Sequence, residues 1–442
     1  MMKRSIALLM ALCLTLAVAG CGSKPAASSA APSSGSESAA APAPAPSGEK
    51  VTIEFWYAFG SKVEENTKRL VEEFNASQDT ITVKAEYQGG SYNDLHTKVQ
   101  SAFAAKNPPA VTLNEITVVQ NFAENGMTQP LDAFIQRDGL DMNDFIPGLL
   151  TNTQVDGKTY SLPYLRSTPL LYYNASLLEK AGLSKDAPKT FEDVLDYGRK
   201  LKAIDVIGLS TPITTWTYEA LVDSAGGRLL SEDETKATFN SPQAMKAMDF
   251  YKTGIKEGIF KIATGGDATS QAKLEFQNQR SAMILGSTAD LTYYMQVAEE
   301  TGFELGAAFI PNGGTGAVPT GGANLVMTSG LSDAEANAAW EFIKFATSKE
   351  QTLKSSVATG YLPARISAKD DAEMQKVYET TPLFKVAVDQ LDTAVPRPMA
   401  KNFPKVNSLL LNALTQCILE LDTDAQAVLD AAVAEADAIL AK

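Results

Sequence analysis

Histidine is almost missing from these 442 residues, with His96 the sole example. A zinc site needs several His, Cys and carboxylate ligands, and a Ser-His-Asp or Cys-His hydrolase would have to run through this one imidazole. His96 sits beside Leu95 in a helical pattern and reads as a flank residue of that helix. The GxSxG elbow, the HExxH zinc helix and the Walker P-loop are missing as well. Nothing here calls for a catalytic residue, a metal or a cofactor. Only a glycosidase carboxylate pair stays open on sequence grounds, because Asp and Glu are abundant and their spacing in space is invisible.

Cysteine is scarce too, at three residues. Cys13 lies in an N-terminal apolar stretch, Cys21 just beyond it, and Cys417 near the other end. If the first leaves with a leader and the second is modified, no disulfide can form within one mature chain. Long hydrophobic runs are lacking: the apolar stretch at 6–18 is too short to span a bilayer and nothing later is longer. Positive charge is in deficit, 38 Lys and Arg against 52 Asp and Glu, for a net charge of -14. That balance disfavours nucleic acid and anionic lipid as partners and predicts a self-repelling monomer.

The start carries Lys3 and Arg4, then the apolar stretch, then Val18-Ala19-Gly20-Cys21. This reads as a signal peptide over 1–20, and small residues directly before a cysteine resemble the lipobox of bacterial lipoproteins. The resemblance implies that Cys21 is lipidated and that the chain is anchored on the extracytoplasmic face of the cell membrane. From Gly22 to Gly48 the chain is almost wholly Ser, Ala, Pro and Gly, with Lys24 and Glu37 its only charges. Such a segment cannot offset its ordering entropy, so 21–50 reads as a semi-extended disordered tether.

The remaining body is long enough for two domains. Residues 51–56 are β-rich, and Val63, Thr67, Leu70, Val71 and Phe74 recur at helical spacing before an alternating run at 80–87. Ser91 with Asp94 offers a capping box for a helix bearing Leu95, Val99, Ala102 and Phe103, followed by a strand at 110–113. This alternation predicts a parallel α/β sheet, with ligands gathering beyond the carboxyl ends of its strands. Those ends carry Trp56 to Phe59, Gly89 to Tyr92, and Asn114 to Glu115. A second α/β region has strands near 168–173, 206–209 and 281–285 and a helix capped by Thr190 and Asp193. A further strand starts near Thr320, Ser332 and Glu335 cap a helix, and the last third is helical. Trp340 on an apolar helical face reads as core, Trp56 as core or cleft, and Tyr172 and Tyr173 as opposite faces of one strand.

Eight short runs in fixed order then carry a resemblance over essentially the whole body. They lie at 53–57, 90–95 (Gly-Ser-Tyr-Asn-Asp-Leu), 107–111 (Asn-Pro-Pro-Ala-Val), 162–164, 167–174, 180–183, 321–325 (Gly-Gly-Ala-Asn-Leu) and 359–363 (Thr-Gly-Tyr-Leu-Pro). Together they resemble the extracellular solute-binding proteins of ABC importers, in the carbohydrate group that includes maltose-type receptors. Within that group the likeness runs furthest toward the receptors for sn-glycerol 3-phosphate. It implies a two-lobe periplasmic-binding-protein-like α/β fold with three interlobe crossings, near Tyr164, Val318 and Ala364, and a ligand cleft between the lobes. The N-terminal lobe would be 51–163 with 318–366, and the C-terminal lobe 164–317 with 367–442.

Position by position, the resemblance implies that Tyr92 holds the ligand and that Glu115 binds its hydroxyls. Ser167 and Ser287 would donate hydroxyls, Gly322 a backbone N–H, Tyr361 a second phenol, and Trp216 an aromatic wall. The arginine that neutralises phosphate in that family aligns with Ser408, which puts a phosphorylated ligand in question. Arg166 could restore an anion contact, although an ion pair within the protein is the alternative, and Arg365 and Arg397 lie in segments that approach the cleft. Chemistry agrees with the resemblance: a polyol needs an aromatic face, a bidentate carboxylate and several donors. The implied partners are a small polyhydroxylated solute, the permease's transmembrane subunits, and the membrane through the lipid anchor. Two alternatives stay open, a lipid-anchored receptor that presents ligand to a sensor without transport and a glycan hydrolase.

Overall fold

The computed structural model describes residues 50–442. The expected signal peptide, the lipidated Cys21 and the tether up to 49 lie outside the described residues. Period-two alternation forms β1 (Val51–Tyr57), and the apolar stripe Val63, Thr67, Leu70, Val71 and Phe74 is the buried face of α1 (Ser61–Ser77). The helix returns the chain to β2 (Ile81–Tyr87), in parallel register with β1. Ser91 then caps α2 (Tyr92–Ala104) by accepting from the Asp94 amide, and α2 leads into β3 (Val111–Glu115), parallel to β1 on its other side. After a run of short helices, β4 (Ser161–Ser167) is buried along its whole length.

The second sheet begins at once with β5 (Pro169–Asn174). Here Tyr172 is fully buried and Tyr173 half-buried, as alternation on a strand requires. A Thr190–Asp193 capping box starts α3 (Phe191–Lys202), which precedes β6 (Ile207–Pro212). A second box, Thr214 with Thr217, starts α4 (Thr215–Ser224). Then come β7 (Phe260–Ala263), β8 (Ser281–Ser287) and β9 (Leu305–Ala308). Past the short β10 (Val318–Pro319), the chain returns to the first sheet as β11 (Gly321–Met327). Helices α5 (Asp333–Ala346) and α6 (Lys349–Thr359) follow, then β12 (Ala394–Val395), α7 (Phe403–Leu419) and α8 (Ala425–Leu440).

The first sheet has the order β2-β1-β3-β11-β4 and the second β9-β5-β8-β6-β7; β10 and β12 form a two-stranded parallel ribbon. Only β2-β1-β3 of the first sheet is parallel, since β11 runs antiparallel to both β3 and β4. The purely parallel sheet expected from local alternation is therefore a mixed one, because a strand from 200 residues downstream pairs with the sheet's open edge. One hydrophobic core gathers around the first sheet, including the fully buried Trp340, and two lie on opposite sides of the second. The boundary expected at 163/164 falls inside β4, which stays in the first sheet to Ser167, so the chain leaves that sheet after Ser167.

Candidate functional site

The ends of β3, β11 and β4 lie side by side, because Ala323 pairs with Glu115, Gly322 with Arg166 and Gly321 with Ser167. Gly322 has φ +89°, and a Cβ there would run into the Leu165 carbonyl oxygen, so the strand comes this close only with glycine. Gly321 is crowded from the other direction. A Cβ on it would stand 2.8 Å from Trp216 Cζ2 and 2.9 Å from Ser167 Oγ. Trp216, at the start of α4, thus lays its indole on the β11 backbone, and its Nε1 donates to the Thr320 carbonyl at 3.2 Å.

Ser287 ends β8 and caps the next turn: its Oγ accepts from the Ala289 amide at 3.2 Å, which leaves the hydroxyl proton free to donate outward. It is tied to Ser167 through their neighbours, as the Thr288 amide donates to the Thr168 carbonyl at 2.9 Å. Tyr361 comes in beside β4, where the Leu362 amide donates to the Arg166 carbonyl at 2.7 Å. Its phenol lies near that of Tyr92, but not in hydrogen-bonding geometry, and the Tyr92 hydroxyl is buried without a partner. Burial, then the Tyr361 phenol and the Glu115 carboxylate, push the Tyr92 pKa well up; burial pushes Tyr361 up to about 12. Both stay neutral donors. An orphaned buried hydroxyl of this kind is what a polar ligand would satisfy.

Glu115 is held from two sides. Its Oε2 accepts from the Thr117 amide at 3.0 Å and from the Thr117 hydroxyl, while Oε1 meets Arg397 at 2.6 Å. Arg397 also donates through Nε to Glu219 Oε2 at 2.7 Å. Glu219 sits on α4, three residues after Trp216, so one guanidinium bridges the end of the first sheet to a helix of the second. Burial works against the Arg397 charge, but Glu219 and Glu115 outweigh it and hold its pKa above the ordinary value. Burial raises Glu219 despite Arg397, and raises Asp223, one turn further along α4, well above the carboxylate range. A pocket of about 610 Å³ opens beside Arg397, lined also by Arg228, Glu232 and Glu234.

Three expectations need correction. Ser408 is exposed on α7 and donates back to the Pro404 carbonyl, remote in role from the site, whereas Arg397 occupies it. Arg397 lies in Val-Pro-Arg-Pro at 395–398, whose two prolines favour extended backbone at the arginine. Arg166 is fully buried and spends its donors on the protein: Gly321 O at 3.1 Å, Leu149 O at 2.7 Å, Asn324 Oδ1 and Thr320 Oγ1 at 3.2 Å. It braces β4 against β11, without a carboxylate partner, and burial lowers its pKa to about 10. His96 is no flank residue. It is buried between Tyr92, whose ring it stacks on at 6.1 Å, and Phe122, and its Nε2 accepts from the Glu115 amide at 3.3 Å. Burial lowers its pKa to about 4, so it is a neutral prop behind Glu115. Arg365 instead pairs with Asp144 at 3.0 Å. Glu219 was missed altogether, though its i,i+3 spacing from Trp216 places both on one helix face.

The chain belongs to the bacterial extracellular solute-binding protein family, whose model matches residues 69–385. Members of this family are receptors and not enzymes. Over 411 residues it is 27% identical to the sn-glycerol-3-phosphate-binding periplasmic protein UgpB of Rhizobium meliloti, covering 88% of this chain and 94% of that one. UgpB from Mycobacterium tuberculosis, solved in complex with glycerophosphocholine, superposes with a TM-score of 0.79 at 28% identity, covering 90% of this chain and 99% of that one. The GacH receptor of Streptomyces glaucescens shares the fold, at TM-score 0.80 and 20% identity over 89% of this chain and 99% of that one. The two-sheet mixed α/β architecture is that of the periplasmic binding proteins.

Proposed function

We propose that this protein is the lipid-anchored substrate-binding component of an ABC importer, which captures a small sugar or glycerol-3-phosphate-like polyol and delivers it to the permease. The observation that carries this reading is the bridge Glu115–Arg397–Glu219, which ties the end of β3 to α4, whose Trp216 packs with Ser167 against Gly321 at the start of β11. An aromatic face, a carboxylate and several neutral donors at one point match a polyhydroxylated solute. The first sheet and its helices form one lobe and the second sheet the other. The chain crosses between them after Ser167, along the β10–β12 ribbon, and beyond Arg365, and hinge motion at these crossings opens and closes the cleft over ligand. In this assignment Arg397, and not Arg166, is the cation that faces the ligand.

The test is a thermal-shift panel of sn-glycerol 3-phosphate, glycerophosphodiesters, and neutral mono- and oligosaccharides. A ligand that binds only the folded state must raise its melting temperature. Stabilisation by none of these classes would sink the reading, and release of reducing sugar from an oligosaccharide would turn it toward a hydrolase. Anchoring is tested separately: Cys21→Ser should move the protein from the membrane fraction to the medium, and an unchanged membrane fraction would remove the lipid from the assignment.

A further inference from the structure

Arg397 is the cation at the centre of the site, yet both of its bonded faces are occupied by carboxylates of the protein itself. The buried ionised groups around it are few. Buried Arg397, Arg166 and Glu219 stand with the partly buried Glu115, and these four charges sum to zero. Asp223 lies one turn beyond Glu219 on α4, 2% exposed, with one carboxylate oxygen unpartnered and the Arg228 guanidinium 4.0 Å away. Burial and the Glu219 charge favour its neutral form. Arg228 itself is exposed and screened by water. A ligand bearing two negative charges would therefore enter a site whose positive charge is already matched, while an uncharged or zwitterionic solute would leave the balance intact.

Resting on the receptor function proposed above, we infer that Glu219 is the specificity-determining residue for ligand charge. By neutralising Arg397 from the α4 side, it turns the cleft away from phosphate monoesters and toward polyhydroxylated solutes without net charge. Glu115 does not play this part, because its carboxylate sits at the strand ends where ligand hydroxyls would be taken. Glu219, 2% exposed on α4, accepts from the guanidinium through Nε. Its side chain is an electrostatic counterweight, whereas Asp223, held in its neutral form, adds no charge of its own.

Calorimetric titration of the purified chain with sn-glycerol 3-phosphate, glycerophosphocholine and maltose tests this. The wild type should bind the zwitterion or the neutral sugar more tightly than the monoester. Glu219→Gln, which keeps the shape and the acceptor for Arg397 Nε, should shift the affinity ratio toward the monoester by about tenfold, the effect of one nearby buried charge. Asp223→Asn, which replaces a neutral carboxyl by a neutral amide, should leave the ratio close to that of the wild type. A merely structural role would lower all three affinities together and leave the ratio alone. A wild type that prefers the monoester, or a folded Glu219→Gln chain with no gain for it, overturns the inference while leaving the receptor function standing. Failure of the folded wild type to bind any of the three counts against the receptor function for this ligand class, and the monoester gain in Glu219→Gln still decides the inference.

Discussion

Arg397 and Glu115 are 282 residues apart in the chain and 2.6 Å apart in space, and their contact joins the end of β3 to the segment that follows β12. The Glu115 carboxylate is thus poised by Arg397 and Thr117 before any ligand arrives. Glu115→Ala should weaken binding of the ligand found by the thermal-shift panel by about tenfold or more, and Glu115→Gln by less, because the amide keeps an oxygen toward the ligand. Titration calorimetry measures both, and wild-type affinity in Glu115→Ala would remove Glu115 from the site.

Trp216 is one of three tryptophans, and the other two are placed to stay silent. Trp340 is fully buried in the first core, and Trp56 donates to the surface Glu54 at 2.9 Å. Ligand should therefore change the intrinsic tryptophan emission through Trp216 alone. In Trp216→Phe that change should vanish, and persistence of the full signal would show that the indole does not meet the ligand.

Gly322 should tolerate no side chain. Gly322→Ala asks for φ +89° and for space taken by the Leu165 carbonyl, so it should cost about 2 kcal/mol or more in a urea unfolding midpoint. A midpoint unchanged from wild type would show that β4 can shift aside.

His96 makes stability pH-dependent in an identifiable window. Its folded pKa is depressed to about 4 from 6.5, so the unfolded chain takes up the proton first as pH falls. The stability from keeping the ring neutral is fully present above pH 6.5 and lost progressively down to about 4, about 3 kcal/mol in all at 1.36 kcal/mol per unit. His96→Asn should flatten the wild-type slope between those limits in denaturation curves taken at several pH values. Parallel slopes for the two chains would place the proton uptake elsewhere.

Local periodicity carried much of the fold. Alternation at β1 and β2, the α1 stripe, and the Thr190–Asp193 and Ser332–Glu335 boxes are readable because side-chain direction in strands and helices repeats every 2.0 or 3.6 residues, and caps act within four. Glu115, Ser167 and Gly322 could be singled out for a related reason: they stand where strands end. Three-dimensional pairing alone decided that β11 enters the first sheet antiparallel, that His96 turns inward behind Glu115, and that Arg397, from a proline-flanked loop, meets Glu115 and Glu219 while Ser408 faces water. None of these leaves a periodic trace, since each depends on a partner between 19 and 282 residues away whose position is set by packing of the two sheets. The charge of the cleft belongs to the same class, because a guanidinium's worth to a ligand depends on which carboxylates already hold it.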